Sequence, residues 1–141
     1  MLDGASHADV MTLHHLPQWP RVAFLLGISL LFTHELDAMT HAEWRVLPLT
    51  SWLDPEVGRI VFVALHVPLF AVVLGGLTSR LPERSAKVQC WVSLFLVFHA
   101  GLHLAFARHP ANGFEGALSN ALIFGAAVFA AVHLWGVRTR R

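Results

Sequence analysis

Ten histidines in a chain of 141 residues are the groups best suited to chemistry. His7, His14 and His15 stand in a polar N-terminal stretch and read as solvated. The others stand in or beside apolar runs, where an ionisable side chain is expensive and usually marks a site. His34, Asp37 and His41 recur at helical spacing, within about 60° of one another around a helix. His99 and His103 are an i, i+4 pair on one helical face. Arg59 and His66 share a face of a third helix. Imidazole and carboxylate together suit zinc, iron, manganese or copper, and histidines one turn apart can grip one ion from a single helix. His34, Asp37, His41, His99 and His103 are therefore candidate ligands of a divalent transition metal, zinc or iron, with Asp37 alternatively orienting an imidazole from behind. His66 is a candidate general base or fifth ligand, and Glu35 a second candidate acid–base group. Arg59 and Asn120 are candidates for holding a headgroup or cofactor. Glu43 points away from the His34 stripe if one helix runs through both. His34-Glu35 is a fragment of a zinc-protease motif, but Ala38 stands where its second histidine belongs, so a metalloprotease is excluded.

Four long apolar segments must position these groups. The chain is 55% hydrophobic and only 13% charged, about half the charged share of an ordinary soluble domain. The first segment runs from Arg21 to Arg45, preceded by Pro17 and Pro20 and ended by Pro48. The second runs from Val57 to Leu77 behind the Asp54-Pro55-Glu56 cap, with Pro68 inside it predicting a kink or loosened turn. A polar linker, Thr78 to Lys87, leads to the third, Val88 to Arg108. The His109-Pro110-Ala111-Asn112-Gly113 turn leads to the fourth, Glu115 to Val137. Each has roughly the 20 residues needed to span a bilayer core, where helix is the default. The expected fold is all-α, a four-helix transmembrane bundle forming one integral membrane domain over 1–141, with 1–19 a polar tail. That tail lacks the basic start, apolar core and cleavage site of a signal peptide, so insertion is expected to rest on the first segment. The one cysteine, Cys90, lies in an apolar run, which excludes a disulfide framework and a cysteine-based zinc site.

Orientation and depth follow from the basic residues. Arg21, Arg80, Arg84, Lys87, Arg138, Arg140 and Arg141 fall on one side of a four-span arrangement, and Arg45, Arg59 and Arg108 on the other. That bias places both termini in the cytoplasm. His34 then lies about 20 Å along the first helix, His66 about 14 Å into the second, and His99 and His103 about 16 and 22 Å into the third. His34, His41, His66, His99 and His103 all fall in the outer half. His133 is on the inner side and is expected to snorkel to the interface. His109 reads as a turn residue or an outer-lip ligand. Trp19, Trp44, Trp52, Trp91 and Trp135 lie near segment ends and read as interfacial anchors. The basic residues form no aromatic-interleaved patch, which argues against nucleic acid as a partner. The small face of the fourth segment, Gly125 to Ala131, favours close helix packing, within the chain or between copies.

His34-Glu35-Leu36-Asp37-Ala38 followed by Glu43-Trp44-Arg45 resembles a signature of small uncharacterised bacterial four-helix membrane proteins. The resemblance covers the first helix and its proline turn and, more loosely, His66-Val67-Pro68 and the His99 to His103 stretch. It implies an integral membrane protein and supplies no activity or cofactor. A different family, the HxxEE-type membrane proteins, is similar in flavour, but His41-Ala42-Glu43-Trp44 does not meet its motif. The leading expectation is a multi-pass protein of the bacterial inner membrane, possessing a His/Asp metal site and acting on a lipid or other lipophilic small molecule by metal-assisted hydrolysis or oxidation. One alternative is a haem b electron carrier, with His34 or His41 opposite His99 or His103 as axial ligands. Another is a metal-free polar network serving proton or solute transport or partner binding, as a homo-oligomer or a subunit of a membrane complex.

Overall fold

The computed structural model describes residues 18–114 and 116–139. His7, His14, His15, Glu115, Arg140 and Arg141 lie outside the described residues. Among the described residues, the secondary structure is four long helices with no strand: α1 (Trp19–Thr40), α2 (Pro55–Leu77), α3 (Pro82–Ala105) and α4 (Ala117–Arg138). All are long and apolar enough to cross a membrane, which suggests a multi-pass membrane protein. Prolines set three of the starts. Pro20, Pro55 and Pro82 stand in first turns, where the missing N–H has no partner to lose. At α2, Asp54 Oδ1 also accepts from the Glu56 N–H at 3.0 Å.

Two local expectations are corrected. The first helix stops at Thr40 rather than Arg45, and a separate 3₁₀ turn, Glu43–Arg45, follows it. The third begins at Pro82, inside the expected linker, because Ser79 Oγ accepts from Leu81 N–H and Pro82 opens a helix directly behind it. The second helix holds Pro68 in its interior.

The helices form a bundle of unequal contacts. α1 packs most extensively on α4, and α4 next on α3. Phe24, Ile28 and Leu31 of α1 meet Val92 and Leu96 of α3 and the small residues Ala126 and Ala130 of α4. The small face of α4 therefore serves packing within the chain, since Ala130 is fully buried. At the other end of the bundle a second core joins Ala38, Trp44, Phe62, Ala100, Phe114 and Ile123. α2 is the least enclosed of the four. Its main attachments are to α3 and to the 3₁₀ turn. Gly58 brings its first turn against Trp44 and Thr50, and Gly76 brings its last turn against Val88. A side chain at either glycine would meet those neighbours.

Candidate metal centre

A chain reversal after α1 builds the site. His41 caps the helix, and Ala42 takes left-handed angles, φ 53° and ψ 48°. That conformation costs a residue with a Cβ about 1–2 kcal/mol. The next residues close the 3₁₀ turn: Arg45 N–H donates to Ala42 O and Val46 N–H to Glu43 O. Thr50 Oγ donates to Trp44 O at 2.8 Å in a buried bond that ties the turn to the following loop. Had α1 continued, Glu43 would sit about 13.5 Å beyond His34 along the axis. Instead its carboxylate comes back to 3.5 Å from His34 Nε2 and 3.6 Å from His103 Nε2.

α3 supplies the rest. His99 and His103 project from successive turns, and their Nε2 atoms are 3.2 Å apart. One donor atom each from His34, Glu43, His99 and His103 all lie within 4.8 Å of one another. His34, Glu43 and His99 are buried, and His103 is half-buried. Burial alone would push the Glu43 carboxyl up, but its contacts with His103 and His34 prevail and hold it down at about 2. Phe114, in the loop before α4, packs against His34, His41 and His103 with ring centroids 5.4, 5.2 and 4.8 Å away.

The donor set could hold one ion if its members drew together. Ligands about 2.0–2.2 Å from a tetrahedral zinc stand roughly 3.3–3.6 Å from each other; three contacts here, at 3.2 to 3.6 Å, lie near that span, two of them to different oxygens of Glu43, while the four donors together span up to 4.8 Å. Both ring nitrogens of His34 are buried without a hydrogen-bond partner. Such orphaned groups cost about 1–3 kcal/mol each, and an ion among the four donors would satisfy Nε2. Three imidazoles and a carboxylate suit zinc or iron.

Of the five expected ligands, His34, His99 and His103 converge, while Asp37 and His41 stay beside them. His41 Nδ1 lies 2.9 Å from the Asp37 carbonyl and 3.2 Å from its carboxylate, so the ring is tied to the end of its own helix. Glu43, which an unbroken helix would turn away, takes the carboxylate position. No glycine or asparagine marks position 42, so the reversal left no local signal in the sequence. His66 and Glu35 meet each other across α2 and α1 at 2.9 Å. His66 Nδ1 is 2.7 Å from Phe62 O. A carbonyl only accepts, so Nδ1 is the donor to Phe62 O, which leaves Nε2 facing Glu35.

The remaining candidates lie apart from the four donors, each with a partner of its own. Arg59 pairs with Glu56 on its own helix. Asn120 Nδ2 donates to Gly116 O at 3.0 Å and to Phe114 O at 3.5 Å, closing the loop that carries Phe114. His109 Nδ1 accepts from Ala111 N–H at 3.2 Å, the turn role. His133 does not snorkel. It is buried, 2.8 Å from Ser93 Oγ and stacked near Phe24, because α3 offers a partner inside the bundle. Trp44 is likewise no surface anchor, being buried beside Phe62, whereas Trp19, Trp52, Trp91 and Trp135 are exposed.

A cleft of about 690 Å³ opens between α1, α2 and α3 and reaches this centre. Its lining is apolar apart from Glu35, Glu43, Thr50, His66 and His99.

No curated protein and no solved structure matches the chain. Residues 20–140 match a family of unknown function, DUF6713, and the protein belongs to that family.

Proposed function

We propose that the protein is a multi-pass protein of the bacterial inner membrane that holds one divalent transition-metal ion, zinc or iron, on His34, Glu43, His99 and His103. It lies in the outer half of the bundle, with both termini in the cytoplasm. The observation that carries this reading is the convergence of four donor atoms within 4.8 Å, from two helices and a reversed turn, in a largely buried pocket. His34 Nε2, buried without a well-formed hydrogen bond and 3.5 Å from Glu43, is the atom that an ion would satisfy. Bound there, such an ion would polarise a carbonyl or ester oxygen or activate water. The Glu35–His66 pair, 2.9 Å apart on the wall of the same cleft, suits acid–base work beside it. These features favour metal-assisted chemistry on a lipophilic substrate.

A single ion fits better than haem b. The His34 ring is 5.1 Å from His99 and 5.0 Å from His103, centroid to centroid, in edge contact. A macrocycle must lie between its two axial imidazoles, and these pairs are packed face to edge. The metal-free network has direct contacts in its favour: His99 approaches His103 at 3.2 Å, hydrogen-bond distance without an ion, and Glu43 stands 3.5 Å from His34. Elemental analysis with a visible spectrum on detergent-purified protein separates the three. Near-stoichiometric zinc or iron without a haem absorbance is the expected result. Protein carrying neither metal nor haem overturns the reading and leaves the polar network.

A further inference from the structure

Of the four donors, His34 has a ring nitrogen left over. Its Nε2 stands 3.5 Å from Glu43, which leaves Nδ1 across the ring. An imidazole that holds an ion through Nε2 carries its proton on Nδ1, and that N–H needs an acceptor. Two other histidines find theirs on the carbonyl one turn back: His41 Nδ1 lies 2.9 Å from Asp37 O, and His66 Nδ1 2.7 Å from Phe62 O. His34 makes no such bond. Its side chain is 1% exposed, and among the described residues its Nδ1 has no hydrogen-bond partner. A second buried atom in the same state stands one turn further along α1, Asp37 Oδ2. The Asp37 side chain is 11% exposed, and its other oxygen, Oδ1, lies 3.2 Å from His41 Nδ1.

We propose that Asp37 is a positioning residue of the centre: its Oδ2 accepts the His34 Nδ1–H and so holds Nε2 toward Glu43, His99 and His103. The pairing stands without an ion; its effect on an ion rests on the metal reading above. One orphaned atom is a donor and the other an acceptor, so one bond removes the desolvation cost of both. His34 and Asp37 are an i, i+3 pair, with Cβ atoms about 5–6 Å apart on one helical face. An imidazole nitrogen and a carboxylate oxygen close that gap by a change of the Asp37 rotamer. The other carboxylates nearby are engaged, Glu43 on the Nε2 side of the ring and Glu35 with His66 at 2.9 Å. A carboxylate accepts more strongly than a carbonyl, and its charge makes the opposite nitrogen a better ligand. With His41 on Oδ1, Asp37 is then fixed between two imidazoles, one inside the centre and one toward its edge.

The test is NMR of full-length protein carrying isotope-labelled histidine, in detergent, with and without zinc. The expected result is a slowly exchanging ring proton on His34 Nδ1, far downfield, as an imidazole N–H bonded to a carboxylate shows. Asp37→Asn keeps the shape and removes the charge. It should move that proton upfield and weaken zinc binding by about 10- to 100-fold, measured against a competing chelator. His41→Ala should leave the proton where it is, because it removes only the partner of Oδ1. The ring signals of His133, paired with Ser93, report that each variant has folded. A wild-type protein without the downfield proton, or one whose proton Asp37→Asn does not move, overturns the pairing. A proton that moves while zinc affinity stays at the wild-type level overturns the positioning role. A downfield proton on protein that binds no zinc upholds the pairing and overturns the metal centre, so the two readings fail separately.

Discussion

Glu43 and His41 differ in a way that the residue scale makes testable. Both are ionisable and both follow α1, yet only Glu43 contacts His34 and His103, while His41 bonds back to Asp37. Glu43→Ala should abolish stoichiometric metal, as should His34→Ala or His99→Ala. His41→Ala should weaken it by no more than the roughly 10- to 100-fold typical of groups behind the ligands. Titration with zinc against a competing chelator measures both, and a Glu43→Ala protein that keeps its metal defeats the assignment. The grouping of His34, His99 and His103 was legible from the sequence because helical periodicity alone brings it out. Glu43 was not, because its place depends on a backbone reversal that no neighbouring residue type announces. His133 was misread for a related reason: depth suggested the interface, and only the bundle's packing reveals Ser93 across from it.

At the scale of the element, the reversal at Ala42 and the seat at Gly58 decide whether Glu43 reaches the three histidines. Alanine at φ 53° is strained, and glycine is not. Ala42→Gly should therefore leave metal binding intact and raise stability, by up to about 1 kcal/mol after glycine's greater chain entropy is offset. Thermal unfolding of the metal-free forms in detergent measures this, and a lower midpoint for the glycine variant contradicts the strain argument. The four apolar segments were legible from length and composition alone, and their ends were displaced by a few residues wherever a cap or turn intervened. The displacement at Thr40 is the one that makes the site.

For the whole molecule, the fold class was the most legible level, since few arrangements satisfy four apolar helices with short connections. The helix ends agree with an up-and-down course: Trp19 at the start of α1 lies 5.7 Å from Trp135 near the end of α4. If the basic residues set the orientation, reporter fusions at 141 and within 46–54 should label opposite sides of the membrane, with 141 inside. Labelling on one side contradicts the four-span reading. The two cores should also be separable in effect. Ser93→Ala leaves His133 Nδ1 buried without its partner, which should cost about 1–3 kcal/mol while metal content stays at the wild-type level. A Ser93→Ala protein that loses its metal but remains folded would tie the two ends of the bundle together.

Trp44 gives the protein an optical reporter of its own centre. Its indole is buried, its Nε1 has no partner, and it follows Glu43 directly in the 3₁₀ turn, whereas the other four tryptophans are exposed. With Trp19, Trp52, Trp91 and Trp135 replaced by phenylalanine, the remaining emission comes from one indole in an apolar setting. Stripping the ion or introducing Glu43→Ala should loosen the turn, admit water to Nε1 and move that emission to longer wavelength, with zinc restoring it only where Glu43 is present. An emission maximum indifferent to both treatments would mean that the turn holds its shape without the ion. A shift that tracks zinc would turn one indole into a fluorescence gauge of occupancy, readable in intact vesicles.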